Sequence, residues 1–453
     1  AIMPGHRAEY TRDARHPLNF PGRSLSLHLS VPRNRFAVFL LVPLLACEAA
    51  SSRTPSPRVQ PTVTSTSAAG STVSVDSTRQ ATPAPTTADT TPVTPTGTAE
   101  VIALQKEPRA IRALYVNRFT AQSQTKMRHL IAIADSTEIN AFVIDIKDEF
   151  GLNWHSSDPL LQRNEGTMNK VSNLPGLVDT LRAHGILPIA RMVVFKDSVA
   201  ARMNPEHVIR KADGTPWRDK KGVTWVNPYS RAIWDYNLRV ADEAVRMGFA
   251  EIQFDYIRFP EPYKSLPAQV FPEALGRTKP AVLHDFLKEA RARYNRRGIR
   301  MTADIFGLVT TVRGALEVGQ DWEQISPVVD VVLPMVYPSL YPHGSFGIPI
   351  PNAEPHKTIF IAITSARERD AKLGISTPEH VRPWLQAFTL GAPRYGPAQL
   401  EAEKQAVYDA GYDGWVLWNP GSKYDEFLPA LEKQFVSRKK SPPVPLPANT
   451  PKD

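Results

Sequence analysis

The chain has 453 residues, 42% hydrophobic and 22% charged, an ordinary globular composition with room for one large domain or two smaller ones. Its net charge of +9 sits mostly at the ends: residues 1 to 100 hold nine Lys/Arg against six Asp/Glu, and residues 433 to 453 hold five against one. The middle is nearly neutral, so the basic balance argues for no nucleic-acid partner; the single cysteine, Cys47, excludes an intrachain disulfide, and no HxH or HExxH spacing offers a metal site.

Arg33 and Arg35 precede an apolar run from Phe36 to Ala46, with Cys47 directly after it. Positive charge, about ten apolar residues and a small residue at the cut make a secretory signal, and the run is too short to span a bilayer. Leu44-Leu45-Ala46-Cys47 resembles the bacterial lipobox, which implies lipidation at Cys47, a mature N-terminus there and an exported, membrane-anchored protein of the cell envelope. About thirty polar residues stand before this signal, so 1–30 is expected to be translated upstream sequence, 31–47 the signal, and 48–100, rich in Ser, Thr, Pro and Ala, a disordered tether. A barrel domain is expected over 101–436 and a second disordered, basic and Pro-rich tail over 437–453.

From Ile111 onward, apolar strand-like runs alternate with amphipathic segments. The runs are 111–116, 141–146, 187–194, 251–257, 300–305, 329–336, 358–363 and 414–418; the helical stretches are 125–136, 174–184, 232–247, 282–297, 378–390 and 398–410, with a short one at 321–325. Helices are followed by Gly185, Gly248, Gly298 and Gly411 and then at once by a strand, the pattern of a left-handed helix cap. Eight such units predict an α/β protein, a (β/α)8 barrel, over an open doubly wound sheet, which would also want a Gly-rich phosphate turn.

A barrel places chemistry at the carboxyl ends of its strands. In order these ends carry Tyr115, Asn117 and Arg118; Asp145, Lys147, Asp148 and Glu149; Arg191, Lys196 and Asp197; Asp255, Tyr256 and Arg258; Asp304; Met335 and Tyr337; Thr364 and Ser365; and Trp415, Trp418 and Asn419. The opposite ends offer no comparable polar set.

The segments FVIDIKDEFG, ARMVVFKD, QFDYIRFP, TADIFG, LPMVYPSLY and DGWVLWNP together resemble a glycoside hydrolase-like family of uncharacterised bacterial barrel proteins, a domain of unknown function distantly similar to α-amylase and α-galactosidase type barrels. The resemblance spans about residues 110 to 432. In related barrels the strand-four aspartate is the nucleophile, which is the role it implies for Asp255.

The residues alone lead to the same class. Glycoside hydrolysis needs one protonated and one ionised carboxyl group. Asp255 and Asp304 end adjacent strands, so Asp304 is the expected acid/base, with Asp145 and Asp148 as rivals; Arg191 and Arg258 would keep one carboxylate ionised. A strand-end aspartate also serves as a plain ion-pair partner, and Asp145 with Lys147 and Arg191 has that composition. Substrate contacts are expected from Tyr115, Lys147, Arg191, Tyr256, Arg258, Tyr337, Trp415, Trp418 and Asn419, with Trp217, Trp225 and Tyr341 as further ring faces for a sugar. The expected enzyme is a monomer with a carbohydrate substrate, no cofactor, no metal, and membrane contact only through the lipid. A carbohydrate-binding barrel without catalysis and a metal hydrolase are the other classes.

Overall fold

The computed structural model describes residues 110–376 and 379–445. The expectations for residues 1–30, for the signal with Cys47 and for the linker at 48–100 lie outside the described residues. The strands are β1 (Arg112–Val116), β2 (Ala141–Asp148), a two-residue β3 (Gly151–Leu152), β4 (Leu187–Val193), β5 (Glu251–Asp255), β6 (Arg300–Phe306), β7 (Val331–Met335), β8 (Trp384–Gln386) and β9 (Trp415–Trp418). All pair in parallel except β3, which folds back on the end of β2. Because β1 pairs with both β2 and β9, the other eight close into a ring, a (β/α)8 barrel.

The helices are α1 (Arg118–Ala121), α2 (Gln124–Asp135), α3 (Pro159–Gln162), α4 (Leu174–Ala183), α5 (Ser198–Met203), α6 (Arg231–Arg246), α7 (Lys279–Asn295), α8 (Trp322–Ile325), α9 (Pro355–Lys372) and α10 (Pro397–Asp409). Their starts follow local chemistry: Asn173, Asp197 and Thr278 accept hydrogen bonds from the first backbone amides of α4, α5 and α7. Gly185, Gly248, Gly298 and Gly411 all take positive φ between a helix and the next strand, as expected.

Alternation along each strand makes two cores. Phe142, Ile144, Ile252, Phe254, Met301 and Ala303 face the helices, whereas Ala113, Tyr115, Val143, Ile189, Leu333, Trp384 and Val416 fill the barrel. Asp145 shares the inward parity of Ala141 and Val143, and Arg191 that of Ile189; the register sets Asp145 beside Arg191 and Arg191 beside Gln253.

Two expectations fail here. The run Thr358 to Ile363 is not a strand but the middle of α9, buried where it packs on α10. A short β-branched apolar run has the same composition as a fully buried helix segment, so pattern could not separate them. The seventh barrel strand is the three-residue β8, inside the stretch expected to be helical, and Thr364 and Ser365 are helical residues that end no strand; the Ser365 hydroxyl bonds to Thr310 O, in the turn after β6, at 2.9 Å.

The amino ends of the strands are not bare of charge either. Glu251 takes a two-pronged bond from Arg382 at 2.8 and 3.2 Å, with both side chains buried. Outside the ring, buried Arg112 binds Glu138 and Asp413, and Lys404 also reaches Glu138. Each charge has an opposite partner, as burial requires.

Candidate active site

Arg191 is the hub. From the inner face of β4 its guanidinium binds Asp145 through Nη1 and Asp255 through Nη2, and its Nε lies 3.6 Å from Asp304 Oδ2. Three carboxylates from β2, β5 and β6 therefore meet on one cation, within the separation of under about 10 Å over which carboxyl pairs act on a glycosidic bond. The ring of Tyr115 lies 5.4 Å from the same guanidinium, and its hydroxyl donates to Asp145 Oδ2.

The three acids differ in access. Asp304 is fully buried: Trp384 Nε1 donates to it at 2.7 Å and Gln253 Nε2 at 2.8 Å. Burial, then the charge of Asp255, holds its carboxyl well above the usual range. Its lack of exposed surface argues against the acid/base role expected of it. Asp145 is also raised by burial, against the pull of Arg191, and both of its oxygens are engaged, as are those of Asp255.

Asp255, at 5% exposure, is as buried as Asp145 at 4%. Its Oδ1 accepts from Tyr256 N, and Tyr256 sits in the left-handed region at φ +51. A tyrosine there costs on the order of 1–3 kcal/mol, strain of the kind that clusters at functional sites.

Asp148, at the tip of β2, accepts from Arg118 Nη1 at 2.7 Å and from Phe150 N at 2.8 Å, both on Oδ1. Burial pushes it up to about 7, opposed by Arg118 and helped by Glu149 and Asp145. Lys147 does not face the cleft. A bulge between Asp145 and Lys147 turns it outward, where its ammonium pairs with Asp197 at 2.8 Å, both fully buried.

The aromatic residues divide in the same way. Tyr337 stacks on Trp418 with ring centres 5.0 Å apart, and Phe388 meets both edge-on, forming a wall whose Trp418 remains half-buried. Trp415 is fully buried on the helix side, its Nε1 bonded to the Tyr408 hydroxyl at 3.2 Å, which argues against the substrate contact expected of it. Trp217 is core as well. Trp225 is buried but packs against Tyr256 and Arg258. Asn419 shapes the loop after β9 through bonds to Ala387 O and from Gly421 N and Lys423 N. The buried hydroxyl of Tyr341 makes no hydrogen bond, and its ring packs on Phe346.

Sequence reasoning missed Gln253, Trp384 and Phe388. Gln253 was within reach, being two residues before Asp255 on the same strand face. Trp384 and Phe388 were hidden in a stretch read as helix. Among the described residues no cluster of three His, Cys, Asp or Glu is arranged for a metal ion.

A closed parallel barrel whose carboxyl end gathers acids around one arginine beside an aromatic wall defines a (β/α)8 protein of the glycosyl hydrolase-like class. The chain belongs to the family described as "putative glycosyl hydrolase domain", whose model matches residues 113–424. Among solved structures it is similar to the glycoside hydrolase domain of PgaB (BpsB) from Bordetella bronchiseptica, at 12% identity and a TM-score of 0.52 over 69% of this chain and 95% of that one, a likeness of fold. A hypothetical protein from Ruminiclostridium thermocellum is 35% identical over 42% of this chain and 96% of its own, with a TM-score of 0.39. An α-galactosidase from Thermus thermophilus matches at 12% identity over 72% of this chain and 62% of its own, with a TM-score of 0.42. No curated protein matches the sequence.

Proposed function

We propose that this protein is a glycoside hydrolase acting on an oligo- or polysaccharide, with Asp255 as nucleophile and Asp148 as the acid. The observation that carries the reading is the Arg191 hub, which holds Asp255 while spreading its charge over Asp145 and Asp304. Three ionised carboxylates on one buried guanidinium would leave excess negative charge out of water. A proton on buried Asp304 relieves it.

Asp148 gives its proton to the glycosidic oxygen as that C–O bond breaks, and Asp255 attacks the anomeric carbon to form a glycosyl ester. Water, deprotonated by Asp148, then attacks the same carbon, releasing Asp255 and restoring the acid. Trp418, stacked on Tyr337, offers a sugar platform.

The test is release of reducing ends from a panel of polysaccharides. Asp255→Asn should abolish release while retaining glycan binding; binding without release by the unaltered protein, on every glycan in the panel, would make it a carbohydrate-binding barrel instead. Anchorage through lipidated Cys47 outside the cytoplasm is proposed with it, on the lipobox-like LLAC sequence. Incorporation of labelled fatty acid that a Cys47→Ser variant loses would support the anchor.

A further inference from the structure

Beside the proposed catalytic aspartate lie two cations that the reaction above does not use. The chain after β4 continues to pair with the chain after β5, since Val194 N donates to Asp255 O at 2.8 Å and Phe195 N to Tyr256 O at 3.3 Å. That pairing carries Lys196 to the Tyr256 ring, its Nζ 5.0 Å from the ring centre. Arg258 reaches the same ring at 4.9 Å, and is fixed by Trp225 at 5.0 Å and Phe306 at 4.7 Å.

Both side chains are buried, Lys196 at 6% and Arg258 at 5% exposure. The nearest carboxylate oxygen to Lys196, on Glu149, is 3.9 Å away, too far for a hydrogen bond. Arg258 uses Nη1 for Phe259 O at 3.1 Å and for Glu261 at 3.3 Å. The Lys196 ammonium keeps its charge through Tyr256, Glu149 and Asp219, but its ion pair with Glu149 is loose, so its donors remain for an anionic group in the cleft. Rings that immobilise the guanidinium reduce what must be ordered on binding.

We propose that Lys196 and Arg258 form a subsite for an acidic substituent, a carboxylate or sulfate ester, on the sugar bound next to Asp255. The substrate class is then an acidic glycan. This rests on the glycan cleft proposed above.

The experiment uses two matched pairs: a polyuronate with its carboxyl-reduced form, and a sulfated glycan with its desulfated form. Binding is titrated on Asp255→Asn and on Asp255→Asn with Lys196→Met; turnover is followed in the unaltered protein. The expected result is that one acidic member binds at least about tenfold more tightly than its neutral partner, and that Lys196→Met collapses the ratio toward one. The pair that shows it names the group. Equal binding within both pairs, or a ratio that Lys196→Met leaves intact, overturns the subsite. The two readings fail separately: acidic preference in binding with no turnover of any glycan leaves the subsite standing and removes the glycosidase, whereas turnover without acidic preference does the reverse.

Discussion

At Asp148 a stability argument and a catalytic one meet. Burial, which disfavours the charged form, pushes its carboxyl up to about 7 in the folded protein, from an ordinary aspartate value of about 4. The folded state therefore holds this proton more tightly than the unfolded chain does. The resulting stabilisation is complete below about pH 4 and is lost as pH rises through about 7, a swing on the order of 4 kcal/mol. Urea unfolding between pH 4 and 8 should show a decline that is shallower in Asp148→Asn; parallel slopes would mean that the proton is not held there. The same proton serves the leaving group, so kcat/KM should fall above about pH 7, and that limb should vanish in Asp148→Asn assayed on an activated aryl glycoside. Arg191 makes the complementary case. Arg191→Met leaves Asp145, Asp255 and Asp304 without their shared cation, which should destabilise by about 3–5 kcal/mol. Denaturation midpoints of the variant and the unaltered protein check this, and a smaller loss would count against the hub.

At the level of elements, the bulge in β2 decides what a lysine does. Lys147 follows inward-facing Asp145 by two residues, so strict alternation sends it into the cleft; the extra residue sends it to Asp197, the side chain that caps α5. Lys147→Met should therefore cost about 3–5 kcal/mol by stranding a buried carboxylate. Affinity for glycan in the folded fraction should not change. A fall in affinity with stability intact would return Lys147 to the cleft. This residue also shows where the sequence stopped being legible. Helix, glycine and strand recur in local chemistry, so most strands and the ends bearing Tyr115, Asp145, Arg191, Asp255 and Tyr337 could be read directly. A bulge leaves no local mark. β8 has three residues, too few for a period, and its Trp384 was lost inside an apparent helix while α9 offered a more convincing strand. The depth of Asp304 and the outward face of Trp415 depend on tilt and register around the closed ring, which no single segment encodes.

At the scale of the whole molecule, a barrel has to close, and the last strand must find the first. Here the seam between β1 and β9 carries a clamp. Arg112 on β1 donates through Nε to Asp413 O at 3.1 Å and through Nη2 to Val436 O at 2.9 Å, and lies 4.2 Å from the Phe435 ring centre. Contacts continue past residue 436: Arg438 N donates to Asp413 Oδ1 at 3.2 Å, Lys440 N to Tyr408 O at 2.8 Å and Val444 N to Asp409 O at 2.9 Å, while the Lys440 ammonium sits 2.8 Å from Asp409. The described residues 436–444, expected from 437 onward to be a disordered tail, thus strap the outside of α10 and the foot of β9, at the pole opposite the acids. Each backbone hydrogen bond contributes roughly 0.5–1.5 kcal/mol net, and the exposed ion pair adds little. Ending the chain at Val436 should therefore lower stability by about 2–4 kcal/mol, and the loss should grow when Arg112→Met is added, because both act on one seam. Denaturant unfolding of the truncation, the substitution and their combination measures that coupling. Simple additivity would show that the strap and the clamp work independently.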